Sequence, residues 1–169
     1  NGHELLEVIS PLDGSLLSNV PLSTAKDLGE AVAAAKAAFP AWSALTVKER
    51  VDILYKYRQL IVENLDELAY LVHIENGKTI GEATAEVSKS IELTEFACSI
   101  PQLVQGEIME VSRGVECRID KAPLGVVACI TPFNFPHMVP HWTVPNALAL
   151  GNCIILKPVS YTHLTLPTI

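Results

Sequence analysis

One short segment of the chain combines a polar amide with residues that would hold it rigid. The run Thr131-Pro132-Phe133-Asn134-Phe135-Pro136 places Asn134 between two aromatic side chains and two prolines. Because each proline fixes its own φ angle, the backbone around the amide is stiff. A rigid N–H donor in an apolar setting is suited to stabilising the negative charge that develops on a reacting carbonyl oxygen. The alternative is structural, since an asparagine in a turn also hydrogen-bonds its own backbone.

A lysine in a similar position is the second candidate. Lys157 directly follows the apolar run Cys153–Leu156, which is predicted to be a strand. An ammonium group at that point can bind ribose hydroxyls or a phosphate. The alternative is a solvated charge that simply ends a strand.

Both candidates stand at the carboxyl ends of predicted strands. Leu124–Ile130 and Cys153–Leu156 are apolar and rich in branched residues, which is typical of strands buried on both faces. Val139–Leu150 between them is a predicted helix that ends at Gly151 and Asn152. The order strand, helix, strand predicts a parallel pair with a right-handed crossover. Ligands of such sheets bind at the carboxyl ends of the strands.

The preceding part of the chain is predicted to be helical between two hairpins, which makes the fold class α/β. The predicted hairpins pair Glu4–Ile9 with Ser15–Val20, and Glu107–Val111 with Val115–Lys121. Four helices are predicted between them: one capped by Ser23 or Thr24 and stopped by Pro40, one beginning at Thr46, one ending at Gly77, and one over Thr79–Ser99.

The usual nucleotide-binding signatures are missing. No G-x-G-x-x-G follows either apolar strand, so the chain either binds no dinucleotide or holds one in another way. Gly77-Lys78-Thr79 resembles the end of a phosphate loop, but Val72 stands where that loop needs a glycine. A helix end at Gly77 is the preferred interpretation.

Histidine and cysteine spacing does not favour a metal. His137 and His141 lie one helical turn apart without nearby carboxylates, so we expect them to cap or pack rather than bind a metal. None of the four cysteines lies within four residues of another. Cys129 and Cys153 lie in apolar runs and are expected to be buried and reduced, as in a cytoplasmic protein.

Composition excludes several classes of protein. The 169 residues carry 12 Lys and Arg against 19 Asp and Glu, a net charge of −7, which argues against nucleic-acid binding. The segment Pro123–Leu156 contains no Asp, Glu, Lys or Arg, but the prolines inside it make it unsuitable as a membrane span: Pro132, Pro136, Pro140 and Pro145. The first residues lack the features of a signal peptide.

Several motifs together resemble the aldehyde dehydrogenase superfamily. The matching segments are Thr131–Pro136, Gly151–Pro158, Pro123–Val127, and Glu75–Lys78 with Glu82-Ala83 and Glu86-Val87. They occur in order and with family-like spacing from about Glu7 to Pro158. The Phe-Asn-Phe-Pro version is most similar to the methylmalonate-semialdehyde dehydrogenase branch.

The resemblance implies a division of the chain. Residues 1–106 would form the hairpin and helical part of a cofactor domain, and residues 107–122 the strands of an oligomerisation arm. Residues 123–158 would form the first βαβ unit of a doubly wound parallel NAD(P)-binding sheet. The chain would cover roughly the first third of such an enzyme.

The resemblance also implies roles for individual residues. Asn134 would be the oxyanion-hole amide, Thr131 and Phe133 would line the cofactor, and Lys157 would bind the adenosine ribose. The implied reaction oxidises a small aldehyde or semialdehyde with NAD or NADP through a thiohemiacetal, and water or coenzyme A releases the acyl group. The family acts as homo-oligomers and lacks the G-x-G-x-x-G loop.

The match has two gaps. The nucleophilic cysteine and the general-base glutamate of the family lie downstream, so the 169 residues by themselves are expected to be inactive. After Lys157-Pro158 the family usually has Ser-Glu, where this chain has Val159-Ser160, and we expect residues 159–169 to be a non-native tail. A non-catalytic module that pairs through residues 107–121, and a reductase relative acting on acyl phosphates or acyl-CoA, remain as alternatives.

Overall fold

The computed structural model describes residues 4–158. The predicted non-native tail at 159–169 therefore lies outside the described residues. Within 4–158 the chain forms six helices and six strands, in the order strand pair, five helices, strand pair, and then strand, helix, strand.

Three of the helices begin with the same local device. Thr24, Thr46 and Thr79 each accept a hydrogen bond from the backbone N–H three residues later, and the acidic residue at that position bonds back to the threonine N–H. The helices are α1 (Ala25–Ala44), α2 (Val47–Glu63), α3 (Leu65–Asn76), α4 (Ile80–Cys98), α5 (Ile100–Leu103) and α6 (Met138–Ala149).

The strands pair in three separate two-stranded sheets. They are β1 (Leu5–Ile9), β2 (Leu16–Pro21), β3 (Glu107–Ser112), β4 (Val115–Ile119), β5 (Val126–Thr131) and β6 (Cys153–Pro158). β1 with β2 and β3 with β4 are antiparallel hairpins, whereas β5 and β6 are parallel. The predicted hairpins and the predicted parallel pair are confirmed.

Two apolar clusters hold the helices together. One joins α2, α4, α5 and α6 around Val51, Leu54 and Ala97, and the other joins α2, α3 and α4 around Ile61 and Val87. Helix α4 takes part in both clusters, so it fixes the position of α6 relative to the rest of the chain.

The predicted stop of the first helix at Pro40 is wrong, because α1 continues to Ala44. Proline in a helix interior removes one backbone hydrogen bond, at a cost of about 3 kcal/mol. Tertiary contacts offset that cost: α1 packs along β6, and Trp42 Nε1 donates to the Leu148 carbonyl over 3.1 Å.

The prediction that β5 is buried on both faces is also wrong. Cys129 and Thr131 are buried, but Ile130 between them is 71% exposed. Side chains alternate between the two faces of a strand, and Ile130 lies on the face opposite the one that carries Cys129 and Thr131. Among residues 4–158, no helix combines the length and the apolar character that crossing a membrane requires.

Candidate functional site

The segment singled out from the sequence forms the loop between β5 and α6. Thr131 is the last residue of β5 and is only 2% exposed. Phe133 is half-buried, whereas Asn134 is exposed and its carboxamide has no hydrogen-bond partner among residues 4–158. The amide is therefore exposed at the carboxyl end of a parallel strand, and residues 4–158 do not provide the apolar setting that its sequence context predicted.

The turn between α3 and α4 holds this loop from one side. Asn76 Nδ2 donates to the Phe133 carbonyl oxygen over 2.8 Å. Two residues later, the Lys78 ammonium lies 3.8 Å from the centre of the Phe135 ring, a cation–π contact. Gly77 makes the turn possible, because it ends α3 with a φ of 81°, which other residues rarely adopt.

A buried carboxylate holds the other end of the loop. Glu86 lies on α4 and is 3% exposed. Its Oε1 accepts the backbone N–H of His137 over 2.8 Å and that of Met138 over 3.1 Å, and its Oε2 pairs with the Lys78 ammonium. Helix α6 has no side-chain cap of its own, so Glu86 supplies both the hydrogen bonds and the negative charge that its N-terminus favours.

The two histidines continue this network into the protein. His137 Nδ1 lies 2.8 Å from the Ser90 hydroxyl, and His141 Nδ1 lies 2.6 Å from the His137 carbonyl oxygen. His141 Nε2 lies 2.7 Å from the Tyr57 hydroxyl, and the two rings are stacked with their centres 5.7 Å apart. The imidazoles are packed and hydrogen-bonded near the helix start, as their sequence context indicated.

Burial holds these histidines in the neutral form. Burial, together with the neighbouring His141, lowers the pKa of His137 to about 4, although the Glu86 carboxylate opposes the shift. Burial also lowers the pKa of His141 and raises that of Tyr57. Among residues 4–158 no group of three or more His, Cys, Asp or Glu side chains could hold a metal ion.

Lys157 reaches the same end of the sheet by the neighbouring strand. Its Cα is paired with that of Ile130, so both side chains point to the exposed face of the β5–β6 pair. Lys157 is exposed, and its ammonium donates to the Pro158 carbonyl. Thr131 is one residue further along β5 and lies on the opposite, buried face. The structure thus brings the loop and Lys157 to the same end of the sheet, but it places Thr131 and Lys157 on opposite faces.

At the other end of α6, the chain returns to the sheet through a second set of buried polar contacts. Arg50 from α2 is 8% exposed and donates from Nε to the Ala149 carbonyl over 2.9 Å. Asn152 Oδ1 accepts the N–H groups of Leu124 over 2.7 Å and Gly125 over 3.1 Å. These contacts fix α6 and β6 relative to β5.

A family model for the aldehyde dehydrogenase family matches residues 1–169. The chain belongs to the aldehyde dehydrogenase family. The resemblance inferred from the loop, the Lys157 run and the α3–α4 turn is therefore confirmed.

The relatives of this aldehyde dehydrogenase chain include enzymes named for semialdehydes. It is 48% identical to malonate-semialdehyde dehydrogenase 2 of Bacillus mycoides (strain KBAB4), over 94% of this chain and 33% of that protein. It matches the crystal structure of methylmalonate-semialdehyde dehydrogenase (DddC) from Oceanimonas doudoroffii with a TM-score of 0.92 and 35% identity, over 96% of this chain and 33% of that one. The predicted similarity to the methylmalonate-semialdehyde dehydrogenase branch is confirmed.

A cofactor complex is among the similar structures. The chain matches PnpE in complex with nicotinamide adenine dinucleotide with a TM-score of 0.89 and 38% identity, over 94% of this chain and 33% of that one. The chain thus spans about a third of the length of the relatives it matches, the N-terminal third.

The missing glycine-rich fingerprint has a structural counterpart in this family member. In the standard arrangement, the cofactor diphosphate binds at the N-terminus of the helix that follows the first strand of the parallel sheet. That helix is α6 here, and the Glu86 carboxylate already occupies its N-terminal N–H groups. A phosphate at the same place would meet a negative charge, so the N-terminus of α6 is closed to it.

Sequence reasoning assigned no role to Asn76, Lys78, Glu86 or Arg50, which the structure places around α6. A signal for Glu86 was present. It lies on the same helical stripe as Ala83, Val87 and Ser90, which are all buried, and an acidic residue on a buried stripe needs partners. The segment from Pro123 to Leu156 contains no Asp, Glu, Lys or Arg, and its backbone N–H groups at His137 and Met138 supply those partners.

Proposed function

We propose that this chain forms the cofactor-side part of the active site of an NAD(P)-dependent semialdehyde dehydrogenase, with Asn134 as the oxyanion donor. The observation that carries the proposal is the exposed Asn134 carboxamide, unpartnered within residues 4–158, at the carboxyl end of β5 in a member of the aldehyde dehydrogenase family. Its N–H donates to the aldehyde oxygen and stabilises the charge that develops there as a nucleophile attacks.

The chemistry of the edge formed by the loop and Lys157 fits a dinucleotide. The exposed Lys157 ammonium offers N–H donors on the open face of the β5–β6 pair, where a ribose hydroxyl or a phosphate can accept them. When bound, NAD or NADP accepts the hydride of the aldehyde carbon. Phe133 contacts the cofactor from the loop. Thr131 is buried at the base of the loop and holds the loop in place.

The nucleophile comes from outside these 169 residues. Burial raises the pKa of the Cys98 thiol, which disfavours a thiolate, and Cys129 is buried in β5. Cys153 begins β6 and so lies at the opposite end of the sheet from Asn134, and Cys117 lies on the β3–β4 hairpin. All four thiols are free, as in a reducing cytoplasm.

The 169-residue chain alone is therefore expected not to reduce NAD with any aldehyde. A spectrophotometric assay at 340 nm with malonate and methylmalonate semialdehydes checks this. Turnover that a thiol reagent abolishes would contradict it.

The role of Asn134 is tested in a hybrid enzyme. Residues 5–158 replace the matching third of the Bacillus mycoides malonate-semialdehyde dehydrogenase, which supplies the remainder of the active site. Asn134→Ala is expected to lower kcat by about 10²–10³-fold, the usual effect of losing an oxyanion donor, with little change in KM for NAD. Asn19→Ala removes an exposed carboxamide from β2 and should leave kcat unchanged. Equal kcat values for the hybrid and Asn134→Ala would overturn the assignment.

The acyl acceptor is proposed to be coenzyme A, with water as the alternative. The support is the similarity to semialdehyde dehydrogenases. Chromatography of the hybrid's products with and without coenzyme A separates the two: acyl-CoA indicates the first acceptor, and free acid with unchanged rate indicates the second.

A second proposal concerns the β3–β4 hairpin as an oligomerisation arm. All its residues are exposed, and the large apolar side chains among them are 51–66% exposed: Ile108, Met109, Val111, Val115 and Ile119. Such a surface favours pairing with another copy of the enzyme. Light scattering of the hybrid carrying Ile108→Asp and Ile119→Asp should show a smaller assembly. An unchanged mass would contradict the proposal.

A further inference from the structure

The Asn134 side chain has no anchor of its own within residues 4–158. Pro132 and Pro136 fix their own φ angles, but they do not fix where the loop lies relative to the rest of the molecule. The position of the carboxamide therefore depends on contacts that hold the neighbouring backbone.

Those contacts lie on both sides of Asn134 in the sequence. On one side, Asn76 Nδ2 holds the carbonyl of Phe133, the residue before Asn134. On the other side, Glu86 Oε1 holds the N–H groups three and four residues after it. The loop is thus held at both ends by side chains of the α3–α4 region.

Lys78 joins the two holding points. Its ammonium pairs with Glu86 Oε2 and lies over the Phe135 ring, next to Asn134. The Lys78 side chain is 17% exposed and that of Glu86 is 1% exposed, so water screens their attraction only weakly. A buried ion pair is weak support for stability, because removing both charges from water costs several kcal/mol per ion.

We propose that Asn76, Lys78 and Glu86 are positioning residues that place the Asn134 carboxamide for the reaction. The inference rests on the proposed role of Asn134 and extends it to residues that do not touch the substrate. A misplacement of about 1 Å in a site lowers a rate by as much as about 10²-fold, so holding the loop matters for catalysis as well as for folding.

The test uses the hybrid enzyme with Glu86→Gln and Glu86→Ala. Gln keeps an acceptor for the two N–H groups but loses the pair with Lys78, whereas Ala loses both. We expect kcat to fall by about tenfold for Gln and by about 10²-fold for Ala, with KM for NAD changed less than threefold. Asn76→Ala is expected to lower kcat less than Glu86→Ala, because one neutral hydrogen bond is lost.

Two matched variants separate positioning from stability. Glu95→Gln changes an exposed carboxylate on the same helix, paired with Arg58, and should leave kcat unchanged. Val87→Ala opens a cavity beside Glu86, at a residue that is fully buried. It should lower Tm at least as much as Glu86→Gln and leave kcat unchanged below the unfolding transition.

A double-mutant cycle decides whether Glu86 acts through Asn134. In the Asn134→Ala background, Glu86→Gln should lower kcat less than twofold further, because the group it positions is gone. A full additional tenfold loss would overturn the inference while leaving the role of Asn134 intact. If Asn134→Ala itself has no effect, the proposed function fails instead.

Hydrogen exchange of the 169-residue chain gives a test that needs no activity. The amides of His137 and Met138 should exchange at least tenfold faster in Glu86→Ala, which removes their acceptor, than in wild type, with no change in Glu95→Ala. Unchanged protection at both amides would overturn the inference even if the hybrid were inactive.

Discussion

Helices α1, α2 and α4 differ from α6 in where their end charges come from. Each of the first three carries its own threonine cap and an acidic residue in its first turn. Helix α6 has neither, and the segment from Pro123 to Leu156 contains no charged residue at all. Its N-terminal carboxylate is Glu86 from α4, and its C-terminal guanidinium is Arg50 from α2.

This difference distinguishes contacts that only stabilise a helix from contacts that also fix where the helix lies. A cap within the same helix stabilises that helix wherever it lies. A cap supplied by another helix exists only when the two helices are correctly placed, so it couples the end of α6 to the rest of the chain. The loop that carries Asn134 is thereby positioned by residues that are far from it in sequence.

The largest expected effect is from removing Glu86, the carboxylate that α4 supplies to the N-terminus of α6. Glu86→Ala leaves the His137 and Met138 N–H groups and the Lys78 ammonium without their partner. Breaking a buried pair in this way costs about 3–5 kcal/mol of unfolding free energy. Urea denaturation of the 169-residue chain measures it, and Glu95→Ala, at an exposed pair, should cost less than about 1 kcal/mol. A loss below 1 kcal/mol for Glu86→Ala would remove the distinction between the two kinds of cap.

The acid sensitivity of the chain should also be concentrated at α6. The pKa of His137 is about 4 in the folded chain and about 6.5 when unfolded. The unfolded state therefore binds more protons between these values, and stability falls as the pH drops from about 6.5 to about 4, by about 2–3 kcal/mol. His141 and Glu86 are the titratable groups whose charges act on His137, and Lys78 pairs with Glu86.

Urea midpoints from pH 7 to pH 4.5 measure this loss, and His137→Gln should flatten the curve. Asp13, Glu49 and Glu82 have lowered pKa values, so their contributions disappear only at lower pH. An equally steep curve in His137→Gln would assign the sensitivity elsewhere.

Arg50, the cation that α2 supplies to the C-terminus of α6, is expected to contribute less to the free energy of unfolding. Arg50→Met keeps the aliphatic stem but loses the hydrogen bonds to the Ala149 and Ser43 carbonyls and to that of Leu45. We expect a loss of about 2 kcal/mol in unfolding free energy, since hydrogen bonds to a charged donor are lost from a buried site. Lys48→Met, an exposed lysine on the same helix, serves as the control in the same denaturation experiment. Equal midpoints for the two variants would contradict the prediction.

A local cap should give the smallest effect. Thr46→Ala removes the side-chain acceptor at the start of α2 and should cost about 1 kcal/mol. Thr46→Ser, which keeps a hydroxyl, should recover most of the loss. If Thr46→Ala destabilises the chain as strongly as Glu86→Ala, a cap within a helix and a cap supplied by another helix contribute equally, which contradicts the expected difference.

Much of the secondary structure was predictable because its signals are local. The Thr24 and Thr46 caps, the helix end at Gly77 and the alternation in the hairpins each involve residues within four positions of one another. The same local reasoning failed at Pro40, where packing of α1 on β6 outweighs the helix-breaking preference. It also missed α5, which follows α4 after one residue.

The sequence by itself determined the family, the parallel β5–β6 pair and the position of Asn134 after a strand, since these depend on contiguous motifs and short periodicities. Only the tertiary structure decided what holds the loop in place. Asn76 is 57 residues from Phe133, Glu86 is 51 from His137 and Arg50 is 99 from Ala149. No local pattern relates residues at such separations, because their contact exists only after α2, α4 and α6 have packed together.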